Sequence, residues 1–303
     1  MKPSLLVISV FNRKPCFDYI FQLLGEKFTT TLIKLNKKTN ERMLEKVYKE
    51  NQASDFDFIF LDLPHSMVRN EYKTISQHVE KTTLYEEDAC QNYIPDSRWF
   101  GDFSYLYKKL GAIKVINTGF AVSQQLKKEG INSIFIPKGY NETIISDLGH
   151  PRHIDVGFIG TVRSNTYHQR YRILRQMELF TQLKTLRTNP GHEYNEALNS
   201  IEIFFSADCG LGEYMAKNFE AMAAGCLLIA YQQGNGEEGA LGLADGHNVL
   251  LYTDCHEAIK KIQWANENPK EAKAIAAAGQ LHAQSNLSFA VLSEKLTTSI
   301  LFN

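Results

Sequence analysis

Residues 206–231 read SADCGLGEYMAKNFEAMAAGCLLIAY, a loop, a helix and a strand in quick succession. The segment 206–212 is small and glycine-bearing after an apolar run, so the backbone can turn tightly there. The segment 213–224 is rich in helix formers, with Tyr214, Met215, Phe219 and Met222 at helical spacing. Gly225 stands where a helix C-cap is expected. Residues 226–231 run apolar without alternation, as a strand buried on both faces does. A glycine-rich loop leading into a helix N-terminus favours anions, because free N–H groups and the helix dipole both point positive charge outward. Lys217 lies one turn in and adds a full charge. Glu220 follows three residues later on the same face, able to accept hydrogen bonds from a sugar diol.

Outward from this stretch, the second half of the chain repeats the pattern. DVGFIGTVRS (155–164) is a strand opening into Gly160-Thr161-Val162-Arg163, followed by a helix over 167–180 and a strand over 183–189. The segment 191–210 reads as a short helix and a strand, and 246–252 as a late strand. Two helices divided by Pro269 and an amphipathic stretch over 288–301 close the chain. The first half alternates in the same way. Strands are expected at 5–11, 29–35, 55–64, 112–119 and 132–141, and helices at 15–27, 40–52, 97–111 and 121–130. The segment 81–94 reads as a strand running into an acidic loop. Such an order predicts parallel sheets covered by helices on both faces. A polar, Pro- and Gly-bearing linker over 140–153 divides the chain into domains 1–142 and 143–303. In open parallel sheets the ligand crevice lies beyond the C-terminal strand ends. In the second domain the loops 160–164, 206–212 and 232–239 leave such ends, and all three are small, polar or glycine-rich.

Phe219-Glu220-Ala221-Met222-Ala223-Ala224-Gly225, the strand to Ala230 and the following QQGNGEEG resemble the donor-binding segment of GT-B glycosyltransferases. The likeness is closest to the family-4, group-1 type and its CgeB-like branch. The resemblance implies two Rossmann-like doubly wound domains, with a nucleotide-sugar bound mainly by the second and the last helix packed back on the first. It implies that Glu220 holds the donor ribose, and that Lys217 matches a basic residue common in the CgeB-like branch. Family-4 enzymes usually carry a second Glu eight positions before the first. Here that position is Gly212, and Glu213 comes one residue late, which leaves the stereochemical outcome open. The donor-binding candidates are Gly160, Thr161, Arg163, Gly212, Glu213, Tyr214, Lys217, Asn218 and Glu220.

The 303 residues suffice for two domains, and 44% hydrophobic with 22% charged residues is a globular composition. Lys and Arg number 33 against 34 Asp and Glu, so there is no basic excess for general nucleic-acid binding. No apolar run is long enough to cross a bilayer. MKPSLLVISVF has a lysine and a short apolar run but lacks a small-residue cleavage site, and is read as a first buried strand. A cytoplasmic location is expected, with peripheral contact at the inner membrane face left open. The five cysteines are widely spaced with no CxxC pair, so free thiols are expected. Of the nine histidines, only His150 and His153 form a close pair, inside the linker.

Asp55-Phe56-Asp57 has the Asp-x-Asp spacing of a GT-A metal site but precedes its strand instead of following it, so it is read as a strand entrance. No metal and no cofactor are expected. Asp62 and His65 end a buried strand, and Glu86, with Glu87 and Asp88, lies on an acidic loop. These are the candidates for the base that deprotonates an acceptor hydroxyl. Tyr93, Trp99, Phe100, Phe103, Tyr105 and Tyr107 are candidates for stacking on an acceptor sugar, or for core. The predicted activity is metal-independent sugar transfer from a nucleotide-sugar to an acceptor hydroxyl, in bacterial surface glycan or glycoconjugate synthesis. A sugar-nucleotide epimerase or a non-catalytic nucleotide-sugar-binding protein of the same fold are the alternatives. A dinucleotide oxidoreductase is disfavoured, since no GxGxxG follows a predicted strand.

Overall fold

The computed structural model describes residues 1–11, 17–36, 43–162, 168–207 and 210–302. They fall into two compact units, one formed by Met1–Pro137 with Leu292–Asn303, the other by Lys138–Val291.

The first unit carries strands β1 (Ser4–Val10), β2 (Thr29–Leu35), β3 (Phe58–Asp62), β4 (Thr82–Glu86), β5 (Lys114–Asn117) and β6 (Asn132–Phe135). They form one sheet in the order β2-β1-β3-β4-β5-β6, every pair parallel. Leu5, Leu6, Val7 and Ile8 of β1 and Ile59, Phe60 and Leu61 of β3 are all fully buried. That matches the unbroken apolar runs, which parallel strands need because helices cover both faces. Edge strand β2 is half exposed and begins with three threonines. Helices α1 (Asp18–Lys27), α2 (Met43–Glu50), α3 (His65–Asn70), α4 (Tyr72–Ile75), α5 (Asp102–Leu110) and α6 (Phe120–Lys128) connect the strands. The short α3 and α4 were not expected from the sequence, since neither is long enough to show an apolar period.

The second unit has β7 (Ile154–Ile159), α7 (His168–Phe180), β8 (Lys184–Leu186), α8 (His192–Asn199), β9 (Ile201–Ser206), α9 (Ala216–Ala223) and β10 (Leu227–Tyr231). Next come α10 (Glu237–Leu241), β11 (Leu250–Tyr252), α11 (Cys255–Glu267), α12 (Pro269–Asn286) and α13 (Phe289–Leu301). The sheet order is β11-β10-β9-β7-β8, again all parallel. Pro269 occupies the first turn of α12, where its missing N–H costs nothing. The distal part of α13 belongs to the first unit. There the buried Lys114 ammonium donates to the carbonyls of Ser299 (2.5 Å) and Phe302 (2.8 Å) near its C-terminal end. Among the described residues no helix is long and apolar enough to cross a membrane.

Two expectations are corrected. The helix expected from Glu213 begins at Ala216, because Met215 is extended (φ −86°, ψ 150°). The loop expected over 232–239 gives way at Glu237 to the short α10. Glu238 of that helix accepts from the N–H groups of Gln233 (2.7 Å) and Gly234 (3.1 Å), fixing the turn that precedes it.

Strands β7 and β9 lie side by side and touch at Gly157. A β-carbon there would come within 2.6–2.7 Å of the Ile201 side chain. Gly157→Ala is therefore expected to cost about 1–3 kcal/mol by overpacking. Combining it with Ile201→Ala is expected to cost less than the sum of the two single changes in a denaturant titration.

Candidate functional site

The second sheet places its switch point between β7 and β9, the strands from which the chain departs toward opposite edges. Beyond β7 comes Gly160-Thr161, and beyond β9 the loop into α9. No side chain caps α9 at Met215, and the Asn218 N–H turns back to the Met215 carbonyl at 2.9 Å.

Lys217, in that first turn, reaches back to the end of β7. Its ammonium donates to the carbonyl of Ile159 at 2.9 Å and sits 4.6 Å from the centroid of the Phe158 ring. Gly160 has φ +147°, and a β-carbon there would overlap the Lys217 ammonium. Glycine at 160 thus allows the lysine to reach the strand end. Arg170 of α7, 3% exposed, lies with its guanidinium carbon 5.7 Å from the centroid of the same ring and donates to the Thr161 carbonyl at 3.4 Å. Arg187, just past β8, donates to the Thr161 hydroxyl. Three cations from three elements therefore converge on residues 158–161. The sequence had singled out only Lys217. Arg163, the cation expected on this loop, lies outside the described residues.

Glu220 lies one turn beyond Lys217 and accepts from the Tyr194 hydroxyl of α8 at 2.7 Å. Asn218 faces inward and is 3% exposed. Its Oδ1 has no hydrogen-bond partner among the described residues. It lines a recess of about 210 Å³, part of it solvent-open, together with Ser206, Ala207, Met215, Tyr231 and Gln233. A buried amide oxygen without a protein donor is uncommon, and it marks this recess as able to take a hydrogen-bond donor.

Glu213 and Tyr214 line the same recess, but side chains of the protein engage both. The Glu213 carboxylate is 2.8 Å from the Lys138 ammonium, with side chains 2% and 5% exposed. The Tyr214 hydroxyl donates to Glu238 at 2.8 Å. Burial, reinforced by that carboxylate, pushes the Tyr214 phenol far above its ordinary range. Gly212 is exposed, with φ +67°. The structure thus groups Gly160, Thr161, Lys217, Asn218 and Glu220 at one end of the sheet. Glu213 and Tyr214 are engaged by side chains of the protein.

In the first unit, Ser9 and Asp62 are register partners across β1 and β3, that sheet's own switch point, and the Ser9 hydroxyl donates to Asp62 at 2.6 Å. His65 opens α3 with Nε2 2.7 Å from Asp102 Oδ2, and its ring stacks 3.7 Å from that of Phe103. Burial holds the imidazole below its ordinary value of 6.5, outweighing the Asp102 carboxylate. His65 Nδ1 is buried with no partner among the described residues. Glu86 ends β4 and accepts from the Asp88 N–H at 2.9 Å. Asp57 accepts from the Ser4 N–H and hydroxyl at 2.7 and 2.8 Å, and those bonds hold its carboxyl below the ordinary range. It fastens the strand entrance, in line with its position before β3. Phe103 and Tyr107 are core, whereas Phe100 and Tyr105 are exposed. Among the described residues no three His, Cys, Asp or Glu side chains gather as a metal-binding group.

Residues 147–296 match the family model described as "Glycosyl transferase-like". Comparison with curated proteins gives no match. Among solved structures, HepE from Anabaena in complex with UDP is similar at a TM-score of 0.71 and 12% identity, over 98% of this chain and 99% of that one. The same protein is also matched in its structures with UDP and glucose and with UDP-glucose. Sucrose-phosphate synthase from Thermosynechococcus elongatus is similar at 0.69 and 12% identity, covering 97% and 98%. A glycosyltransferase from Rickettsia africae gives 0.65 and 12%, covering 99% of each chain. At such identities the likeness is one of fold, and the fold is GT-B: two parallel-sheet α/β domains. With the family match over the second unit, the chain is a glycosyltransferase. The match is to the broad family and does not select its CgeB-like branch.

Two outcomes are expected. Lys138→Met alone strands a buried carboxylate and should cost about 3–5 kcal/mol, whereas Lys138→Met with Glu213→Leu should recover most of it in thermal or urea unfolding. The second concerns pH. The folded pKa of His65 lies below its unfolded value, so the unfolded state binds more protons between the two. Stability should fall as pH drops from about 6.5 through that window, and His65→Gln should flatten the fall.

Proposed function

We propose that this enzyme moves a sugar from a uridine diphosphate sugar to a hydroxyl of a glycan or glycoconjugate, without a metal. The observation that carries the proposal is the convergence of Lys217, Arg170 and Arg187 on the 158–161 segment, beside the uncapped first turn of α9. A diphosphate at this switch point meets three cations and the positive end of the α9 dipole, and the Glu220 carboxylate one turn on suits the ribose hydroxyls. The HepE structures with UDP and UDP-glucose support uridine as the base to test first.

In the proposed reaction the bond between the anomeric carbon and the diphosphate oxygen breaks, and a new bond forms to the acceptor oxygen. The acceptor proton passes to a base. Charge grows on the departing diphosphate as the sugar becomes oxocarbenium-like. Lys217 and the amides of α9 lie where that charge develops, so they stabilise the transition state more than the ground state. For the base we propose a strand-end group of the first unit, from Asp62, His65 and Glu86. His65 is neutral near pH 7 and already oriented by Asp102, which favours it.

Calorimetry with UDP is expected to show binding by the wild type and at least tenfold weaker binding by Lys217→Ala. Arg187→Ala should be weakened less, its exposed side chain being better screened. UDP release from UDP-glucose should require an acceptor and persist in EDTA. Equal UDP affinity in Lys217→Ala would remove the site, acceptor-independent conversion would point to an epimerase, and loss of rate in EDTA would remove the metal-free mechanism.

A further inference from the structure

Glu220 sits on α9, but its orientation is set from α8. The Tyr194 hydroxyl donates to Glu220 Oε2 at 2.7 Å, so one oxygen of the carboxylate is tied to a neighbouring helix. A glutamate side chain on a helix surface otherwise rotates about three bonds, and fixing it only on binding would cost rotamer freedom. An aromatic hydroxyl on a second helix removes much of that cost beforehand. Each carboxylate oxygen accepts about two hydrogen bonds. Tyr194 uses one site on Oε2 and leaves Oε1 whole for an incoming diol.

We propose that Tyr194 is a positioning residue that presets Glu220 for the ribose diol of the donor, making the enzyme selective for ribo- over 2′-deoxyribonucleotides. The inference rests on the proposal that Glu220 holds the ribose, and goes beyond it by naming the residue that sets the carboxylate and the property it controls. Tyr194 itself does not touch the sugar. Its effect reaches the ligand only through Glu220, which fixes how its removal must look. Tyr194→Phe keeps the ring and removes the hydroxyl that donates to Glu220. If the hydroxyl merely stabilised the fold, its loss would weaken all nucleotides alike or none.

The test is calorimetry of UDP and 2′-deoxy-UDP with wild type, Tyr194→Phe, Glu220→Gln and the double variant, with a thermal melt of each. The wild type should prefer UDP by about tenfold or more, the loss expected when one hydrogen bond to a charged group is not made. Tyr194→Phe should weaken UDP three- to tenfold, leave 2′-deoxy-UDP nearly unchanged and so shrink the preference. In the Glu220→Gln background, Tyr194→Phe should add little further loss. If Glu220→Gln weakens UDP and Tyr194→Phe does not, or Tyr194→Phe tightens it, Tyr194 is no positioning residue while the ribose assignment survives. If Glu220→Gln leaves UDP affinity unchanged, or the wild type binds no UDP, both fall. If Tyr194→Phe melts early, Tyr194→His, which keeps a ring donor, must restore part of the UDP preference or the proposal fails.

Discussion

The ammonium of Lys217 bonded to the carbonyl of Ile159 ties the first turn of one helix to the end of a strand that precedes it by more than fifty residues. Everything at the candidate site depends on this contact. It is possible only because β7 and β9 are neighbours while their connections leave in opposite directions. It also requires that residue 160 have no β-carbon. The ammonium is held against an aromatic ring and a backbone oxygen. Arg170 and Arg187 reach the same segment from two further elements. Three such cations beside a helix N-terminus give this strand end a local excess of positive charge.

The one-residue displacement of the upstream glutamate has a physical consequence. On a helix begun at 213, Glu213 would have faced outward with Lys217. Instead the chain stays extended through Met215, and Glu213 turns inward to Lys138, the first residue of the second unit. A buried ion pair contributes little net stability but is costly to break on one side. It therefore acts as a constraint on where α9 begins.

Much of the architecture was legible from the sequence. The unalternating runs LLVISV and FIFL read as strands covered on both faces, and both lie in the parallel sheet, buried but for Phe58. The order of strands and helices gave two doubly wound units. Lys217 and Glu220 were legible because loop, helix and C-cap follow one another within residues 206–231, and Gly160 because a small, polar loop follows an apolar strand there. What stayed hidden came from contacts across the fold. Arg170, Arg187 and Tyr194 have no local pattern that marks them, and only the adjacency of β8, β7 and β9 brings them to one edge. The helix start was misplaced because propensity along 213–215 favours helix, while Lys138 and Glu238 hold the Glu213 and Tyr214 side chains elsewhere. Arg152 was hidden inside a stretch that reads as linker. Its guanidinium donates to the carbonyls of Ile201 (2.6 Å) and Ala224 (2.7 Å), tying the start of β9 to the end of α9.

The most direct measurement is the amide spectrum of the isotopically labelled protein as UDP is added. Reception of the diphosphate at the strand end requires the largest shifts at Gly160, Thr161, Ala216 and Lys217, saturating together with a single affinity. Stationary resonances at those four positions while others move would contradict it.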